Sequence, residues 1–111
     1  MSIIKIGIYT AKNGIEPFSV WLNKLDLKTR AIIRTRLNRI QLGNFGDIKR
    51  IKNGEGILEL RINYGSGYRI YFGRKGYTII VLLVGGDKQS QNRDIAKAKR
   101  YWLDYKDLKY E

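Results

Sequence analysis

Two runs and the turn between them decide the fold of this chain: Ile57-Leu58-Glu59-Leu60-Arg61-Ile62-Asn63, then Gly65-Ser66-Gly67, then Tyr68-Arg69-Ile70-Tyr71-Phe72. In the first run Leu58, Leu60 and Ile62 alternate with Glu59, Arg61 and Asn63. In the second, Tyr68, Ile70 and Phe72 alternate with Arg69 and Tyr71. A period of two puts each set on its own side of a pleated strand, so both runs read as half-buried strands. A third run, Tyr77 to Val84, follows the turn Arg74-Lys75-Gly76 and does not alternate, as expected of a central strand buried on both faces. Glycine-rich turns of a few residues are too short for a parallel crossover, so the three strands form an antiparallel meander.

Toward the N-terminus, Ile48 to Ile51 reads as a short strand ahead of the turn Asn53-Gly54-Glu55-Gly56. Before it, Leu27 to Leu42 reads as a helix capped by Asp26 and ended by Gly43. Ile33, Leu37 and Ile40 share its apolar face, and Lys28, Arg30, Arg34, Arg36 and Arg39 occupy the rest. Phe18, Trp21, Leu22 and Leu25 follow Pro17 at i, i+3, i+4 and i+7, a second amphipathic helix with proline in its first turn. The two helices are joined closely enough to form a hairpin. Residues 3–9 read as a first strand. At the other end, from about Gln91, the residues Ile95, Ala98, Trp102 and Tyr105 recur at near-helical spacing, with Lys97, Lys99 and Arg100 outside. The order β-α-α-β-β-β-β-α predicts one α+β domain over residues 1–111. In it an N-terminal strand and a helical hairpin pack on an antiparallel β-meander that a C-terminal helix follows.

Charge narrows the function. Among 111 residues, 22 Lys and Arg stand against 10 Asp and Glu, a formal net charge of +12. Solubility typically needs a net charge of only about 2–8, and a surplus on this scale favours a polyanion, usually nucleic acid. The chain has neither His nor Cys, which excludes a disulfide framework, a Ser-His-Asp triad and a thiol nucleophile, and leaves no convincing zinc site. No phosphate-binding loop ending in Gly-Lys-Ser/Thr occurs, and the carboxylates are scattered. No metal or cofactor is expected. Met1 to Tyr9 is interrupted by Lys5 and lacks a basic leader and a cleavage site, and Tyr77 to Val84 is too short to cross a bilayer. The expectation is a soluble, cytoplasmic protein with no membrane partner.

The remaining chemistry rests on Arg, Lys, Tyr and Gln. Alternation puts Arg61 and Arg69 on the sheet side opposite the apolar residues, and pairing across Gly65-Ser66-Gly67 brings them together. Like charges opposite one another destabilise a sheet, so the pair suggests an anion that is not part of the chain. The competing reading is that Glu59 neutralises Arg61 on a solvated face. Lys88 lies in Gly85-Gly86-Asp87-Lys88-Gln89-Ser90-Gln91, where flexible glycines followed by polar residues at a helix start suit a phosphate contact. Tyr64 and Tyr71 interleave with basic residues and suit base stacking, with Tyr71 the better placed and Tyr68 assigned to the core by parity. Arg74 and Gln91 complete the candidate nucleic-acid surface. This set fits RNA cleavage by the substrate's own 2′-hydroxyl: the protein aligns the strand, stabilises charge on the phosphate and eases two proton transfers.

Three segments carry a resemblance: Gly56-Ile57-Leu58-Glu59-Leu60-Arg61-Ile62, Gly67-Tyr68-Arg69-Ile70-Tyr71-Phe72, and Leu82-Leu83-Val84-Gly85-Gly86-Asp87-Lys88 with Ser90-Gln91 through Asp94-Ile95-Ala96-Lys97-Ala98. In order and spacing, over about residues 54–102, the chain resembles the RelE/HigB toxins of type II toxin–antitoxin systems, in the phage-derived, addiction-module killer branch. The resemblance implies a RelE-like fold, ribosome-dependent cleavage of messenger RNA without a metal, and neutralisation by a small helix-turn-helix antitoxin of the HigA kind. It places Arg61, Arg69 and Lys88 at positions where the family carries basic catalytic residues. The antitoxin is expected on the basic helical hairpin, at Arg30, Arg34, Arg36 and Arg39, or on the sheet face. Two other functions suit the same fold: a ParE-like inhibitor that binds DNA gyrase and cuts nothing, and a non-catalytic nucleic-acid-binding module.

Overall fold

The computed structural model of the chain describes residues 3–109; Met1 and Ser2 of the N-terminal stretch read above lie outside them. Five strands and three helices follow one another among the described residues: β1 (Lys5–Ile8), α1 (Pro17–Asn23), α2 (Leu27–Gln41), β2 (Ile48–Arg50), β3 (Ile57–Ile62), β4 (Tyr68–Lys75), β5 (Ile79–Asp87) and α3 (Gln91–Lys109). The class is α+β, and the strands lie in one sheet in the order β1-β5-β4-β3-β2. Strands β2 to β5 are antiparallel, as the short turns require. The sheet as a whole is mixed, because β1 lies parallel to β5, with Lys5 opposite Ile79 and Ile8 opposite Leu82. Two helices and the meander intervene between them, ample length for a parallel return.

Local chemistry explains the helix boundaries. Pro17 opens α1, where its missing N–H has no helical partner to lose. The Asp26 carboxylate accepts from the Thr29 backbone N–H at 2.8 Å and so caps α2; the Thr29 hydroxyl and then that N–H hold its pKa below the usual 3.8.

The sheet is covered on both faces. Leu60, Ile62, Ile70, Phe72, Ile80 and Leu82 pack against Phe18 of α1 and against Ile33 and Ile40 of α2. On the other side Ile57, Tyr71, Val81 and Leu83 pack against Ala98 and Trp102 of α3. This corrects the competing reading that Glu59 lies on a solvated face, and the expectation that Tyr71 is free to stack a base, since α3 has an apolar stripe of its own and needs a sheet face to bury it. Between β4 and β5 the register slips, with Tyr71 opposite Val84 but Phe72 opposite Leu82. Leu83 is thus the extra residue of a bulge, which keeps Leu83 and Val84 together in the core beneath α3. No helix among the described residues is long and apolar enough to cross a membrane.

Candidate functional site

Register assembles the site at the end of β3 and β4. Arg61 is the direct partner of Arg69, and Glu59, two residues back on the same face, is the partner of Tyr71. On the far side of β4, Arg69 pairs with Gly86 of β5. The α3 face of the sheet therefore presents Glu59 and Tyr71 at one level, and Arg61, Arg69 and Gly86 at the next. Helix α3 begins at Gln91 and covers the first level, leaving the second half-open to a groove.

Glu59 is 0% exposed, and both its oxygens are occupied. Oε1 accepts from Arg61 Nε at 3.0 Å, and Oε2 accepts from the Gln91 side-chain amide at 2.9 Å. Burial pushes the Glu59 carboxyl up, but the hydrogen bonds from Arg61 and Gln91, the neighbouring Tyr71 hydroxyl and the nearby Arg69 charge outweigh it, holding the pKa below the ordinary 4.5. Tyr71, also 0% exposed, is pushed well above its usual 10.0 by burial and by the Glu59 charge. Its hydroxyl has no well-formed hydrogen bond, and neither does the buried Nη1 of Arg69. Because Glu59 engages Arg61 through Nε, the end-on edge of that guanidinium, Nη1 and Nη2, remains for an anion.

The groove has a volume of about 540 Å³ and is lined by residues that include Arg61, Tyr64, Tyr68, Arg69, Lys88 and Asp47. Arg61 and Arg69 are half-buried in its floor, and Lys88 is exposed at its rim. Lys28 of α2 lies 5.9 Å from the centre of the Tyr64 ring, which brings a further cation to this end of the sheet. The chemistry on offer is charge-assisted binding of a phosphate-like group by guanidinium forks, beside partly exposed tyrosine rings.

The sequence-predicted residues divide. Arg61, Arg69, Lys88 and Tyr64 come together in the groove. Tyr71 does not, since it is buried under α3 and cannot stack a base; Tyr68, half-buried against Trp21, lines the groove instead. Gln91 is turned inward onto Glu59. Arg74 lies five residues beyond Arg69 along β4, roughly 16 Å away at strand rise, with its guanidinium 4.6 Å over the Phe45 ring. The flexible glycine loop is also corrected. Gly85 and Gly86 are buried in β5, where a Cβ would collide with the Trp21 indole and with the Asp94 carboxylate respectively. Their lack of a side chain provides room rather than flexibility. Only the short segment after Asp87 turns; the Asp87 carboxylate accepts from the N–H of Gln89 and Ser90 at 2.9 and 3.0 Å, and Ser90 donates to Asp94.

The four helix arginines do not form one face either. At about 100° per residue, Arg30 and Arg34 fall on one flank of the buried stripe Thr29, Ile33, Ile40, and Arg36 and Arg39 on the other. Arg34 and Arg39 are exposed, whereas Arg30 and Arg36 are half-buried, with the Arg36 guanidinium against Gly46.

Sequence reasoning missed the burial of Glu59 and the part played by Asp94, which is 5% exposed and fills the space over Gly86. The signal for both was the apolar stripe of α3, which had to lie on the Glu59 face because the hairpin already used the other.

A family model described as Phage derived protein Gp49-like (DUF891) matches residues 20–102, from α1 to the middle of α3. A Haemophilus influenzae protein described as uncharacterized is 48% identical over 83 residues, which cover 74% of this chain and 82% of the relative. The chain belongs to the phage-derived Gp49-like protein family.

Proposed function

We propose that this protein is the toxin of a type II toxin–antitoxin pair of the RelE/HigB kind, and that it cleaves messenger RNA on the ribosome by promoting attack of a 2′-hydroxyl on the adjacent phosphate. One observation carries this reading: two arginines sit directly opposite each other on neighbouring strands, with a buried carboxylate on one and an unpaired buried N–H on the other, facing a groove rimmed by Lys88. Such an arrangement costs stability unless an anion completes it.

In the reaction the 2′-oxygen bonds to phosphorus, the bond to the 5′-oxygen breaks, and the products are a 2′,3′-cyclic phosphate and a 5′-hydroxyl. Arg61 and Arg69 stabilise the negative charge that grows on the non-bridging oxygens. In this reading Lys88 adds charge at the rim and hands a proton to the departing 5′-oxygen, while the proton of the attacking 2′-hydroxyl passes to water in the groove. Tyr71 is held protonated beneath the floor and takes no part in the transfers. Tyr64 and Tyr68 flank the base next to the scissile phosphate. Neutralisation falls to a helix-turn-helix antitoxin that covers basic surface.

The test is a reconstituted translation reaction with message, ribosomes and purified protein, read by primer extension and by the chemistry of the RNA ends. Cleavage that leaves a cyclic phosphate and falls at least a hundredfold in Arg61→Ala and Arg69→Ala agrees with the proposal. Intact message together with inhibition of gyrase supercoiling would replace it with the ParE-like reading.

A further inference from the structure

We infer that Glu59 is a positioning residue, a buried carboxylate that grips Arg61 by Nε and Gln91 by its amide so that the outer edge of Arg61 points into the groove. The inference deepens the RNA-cleavage reading and rests on it.

The geometry excludes the other roles open to a carboxylate. A general base must reach the proton it removes, but Glu59 is fully buried and both its oxygens are already accepting. A partner that merely neutralised Arg61 could sit at the surface, where an exposed ion pair has little effect on stability. This one lies under α3. Glu59 joins two segments distant in sequence: its own strand β3, where it holds Arg61 two residues on, and the first residue of α3, 32 positions away. Its cross-strand neighbour Tyr71 closes the space on the third side. Arg61 is a long side chain with many rotamers, half-exposed at a strand end. Without a fixed partner, its repulsion from Arg69 directly opposite would push it out of the floor. With Nε held at 3.0 Å, the guanidinium plane is fixed and the fork it presents to a phosphate is set in advance.

The test compares Glu59→Gln in two backgrounds, the unmodified chain and Arg61→Ala, by single-turnover cleavage of message on ribosomes, with thermal unfolding followed in parallel. A displacement of about 1 Å at a reacting centre costs on the order of a hundredfold. Turnover is accordingly expected to fall at least about tenfold in Glu59→Gln, with KM changed less than about twofold. In the Arg61→Ala background the same substitution should cost nothing further, because Glu59 acts through Arg61. The pH profile of Glu59→Gln should keep its shape and lose only height. Unchanged turnover in Glu59→Gln overturns the inference, and so does an equal loss in both backgrounds. Loss of the acid limb of the profile would make Glu59 the base and overturn it too. Should Glu59→Gln fail to fold, Glu59→Asp serves the same comparison, since its shorter arm cannot hold Arg61 and Gln91 together. If the unmodified chain cleaves no message, the cleavage reading itself has failed, an outcome distinct from cleavage that ignores Glu59.

Discussion

Replacing Arg69 by Met separates what the site does from what the fold needs. Three contributions decide its effect on stability. Removing the guanidinium relieves its repulsion with Arg61, directly opposite, and removes its attraction to Glu59. The two have opposite signs and offset one another. What remains is the buried Nη1, which has no acceptor. A buried donor left unpaired costs about 1–3 kcal/mol, and that cost disappears with the guanidinium. Methionine keeps the aliphatic stem that packs along the strand. Arg69→Met is therefore expected to range from neutral to about 2 kcal/mol more stable than the parent, with a midpoint rise of roughly 4–8 °C for each kcal/mol in a chain of about this size. Message cleavage is expected to fall about a hundredfold or more. Thermal unfolding by circular dichroism and the ribosome assay measure the two quantities on one preparation. A variant destabilised by more than about 1 kcal/mol would mean that Arg69 has a structural partner, and a stable variant that still cleaves would mean that the site lies elsewhere.

Other perturbations follow from the same geometry. Gly85→Ala should destabilise by about 1–3 kcal/mol, because a Cβ there collides with the Trp21 indole; adding Trp21→Leu should recover part of the loss, and simple additivity of the two in urea titrations would argue against the contact. The folded pKa of Glu59 lies below its ordinary 4.5, so its contribution to stability is present above pH 4.5 and lost as pH falls through the folded value; the stability gap between the unmodified chain and Glu59→Gln should narrow on acidification below pH 4.5, as measured by chemical denaturation across pH. Charge reversal at Arg34 and at Arg39, made separately, should slow association with an acidic partner only for the flank that the partner covers, and equal on-rates in both variants would place the partner off α2 altogether. Raising salt should raise KM steeply and leave single-turnover kcat nearly unchanged; a salt-insensitive KM would argue for recognition of a protein rather than of RNA.

Elements whose signal is local could be read from the sequence. The alternation Leu58, Leu60, Ile62 and the short glycine turns fix the meander and its register, so the apposition of Arg61 and Arg69 follows from the strand period alone. Asp26 and Pro17 mark their helix starts by chemistry that needs no tertiary context. What escaped was set by contacts between distant segments. Period two assigns Glu59 and Tyr71 to a face, but says nothing of what covers that face; both are buried because α3, more than 30 residues later, lies on it. Gly85 and Gly86 look the same in sequence whether they bend the chain or make space, and only the positions of Trp21 and Asp94 decide between the two. Arg74 has the composition of a nucleic-acid contact and is excluded from the groove by its position along β4, where the ring of Phe45 lies beneath it.

Charge at the site and charge on the whole molecule do different work. Around the groove the cations Arg61, Arg69, Lys88 and Lys28 stand beside three acids, Glu59, Asp87 and Asp94, and a fourth, Asp47, lines the groove itself, so the neighbourhood is close to neutral although the chain carries +12. The three acids are engaged: Glu59 by Arg61 and Gln91, Asp87 by the turn N–H groups, and Asp94 by Ser90. The cations keep donors on the groove side. A phosphate entering the groove therefore meets the N–H groups of its floor, with Glu59, Asp87 and Asp94 already occupied and Asp47 an exposed carboxylate of the lining, and binding at short range depends on orientation rather than on net charge. The long-range pull comes from the remaining surplus, spread over α2 and the outer face of α3, and salt screens it over about 8–10 Å. The proposed function thus divides encounter and chemistry between separate sets of residues. Under the proposed function, surface lysines and arginines far from the groove would govern how fast an RNA arrives, while the buried carboxylate of Glu59 would govern whether the arginine it meets is pointing the right way.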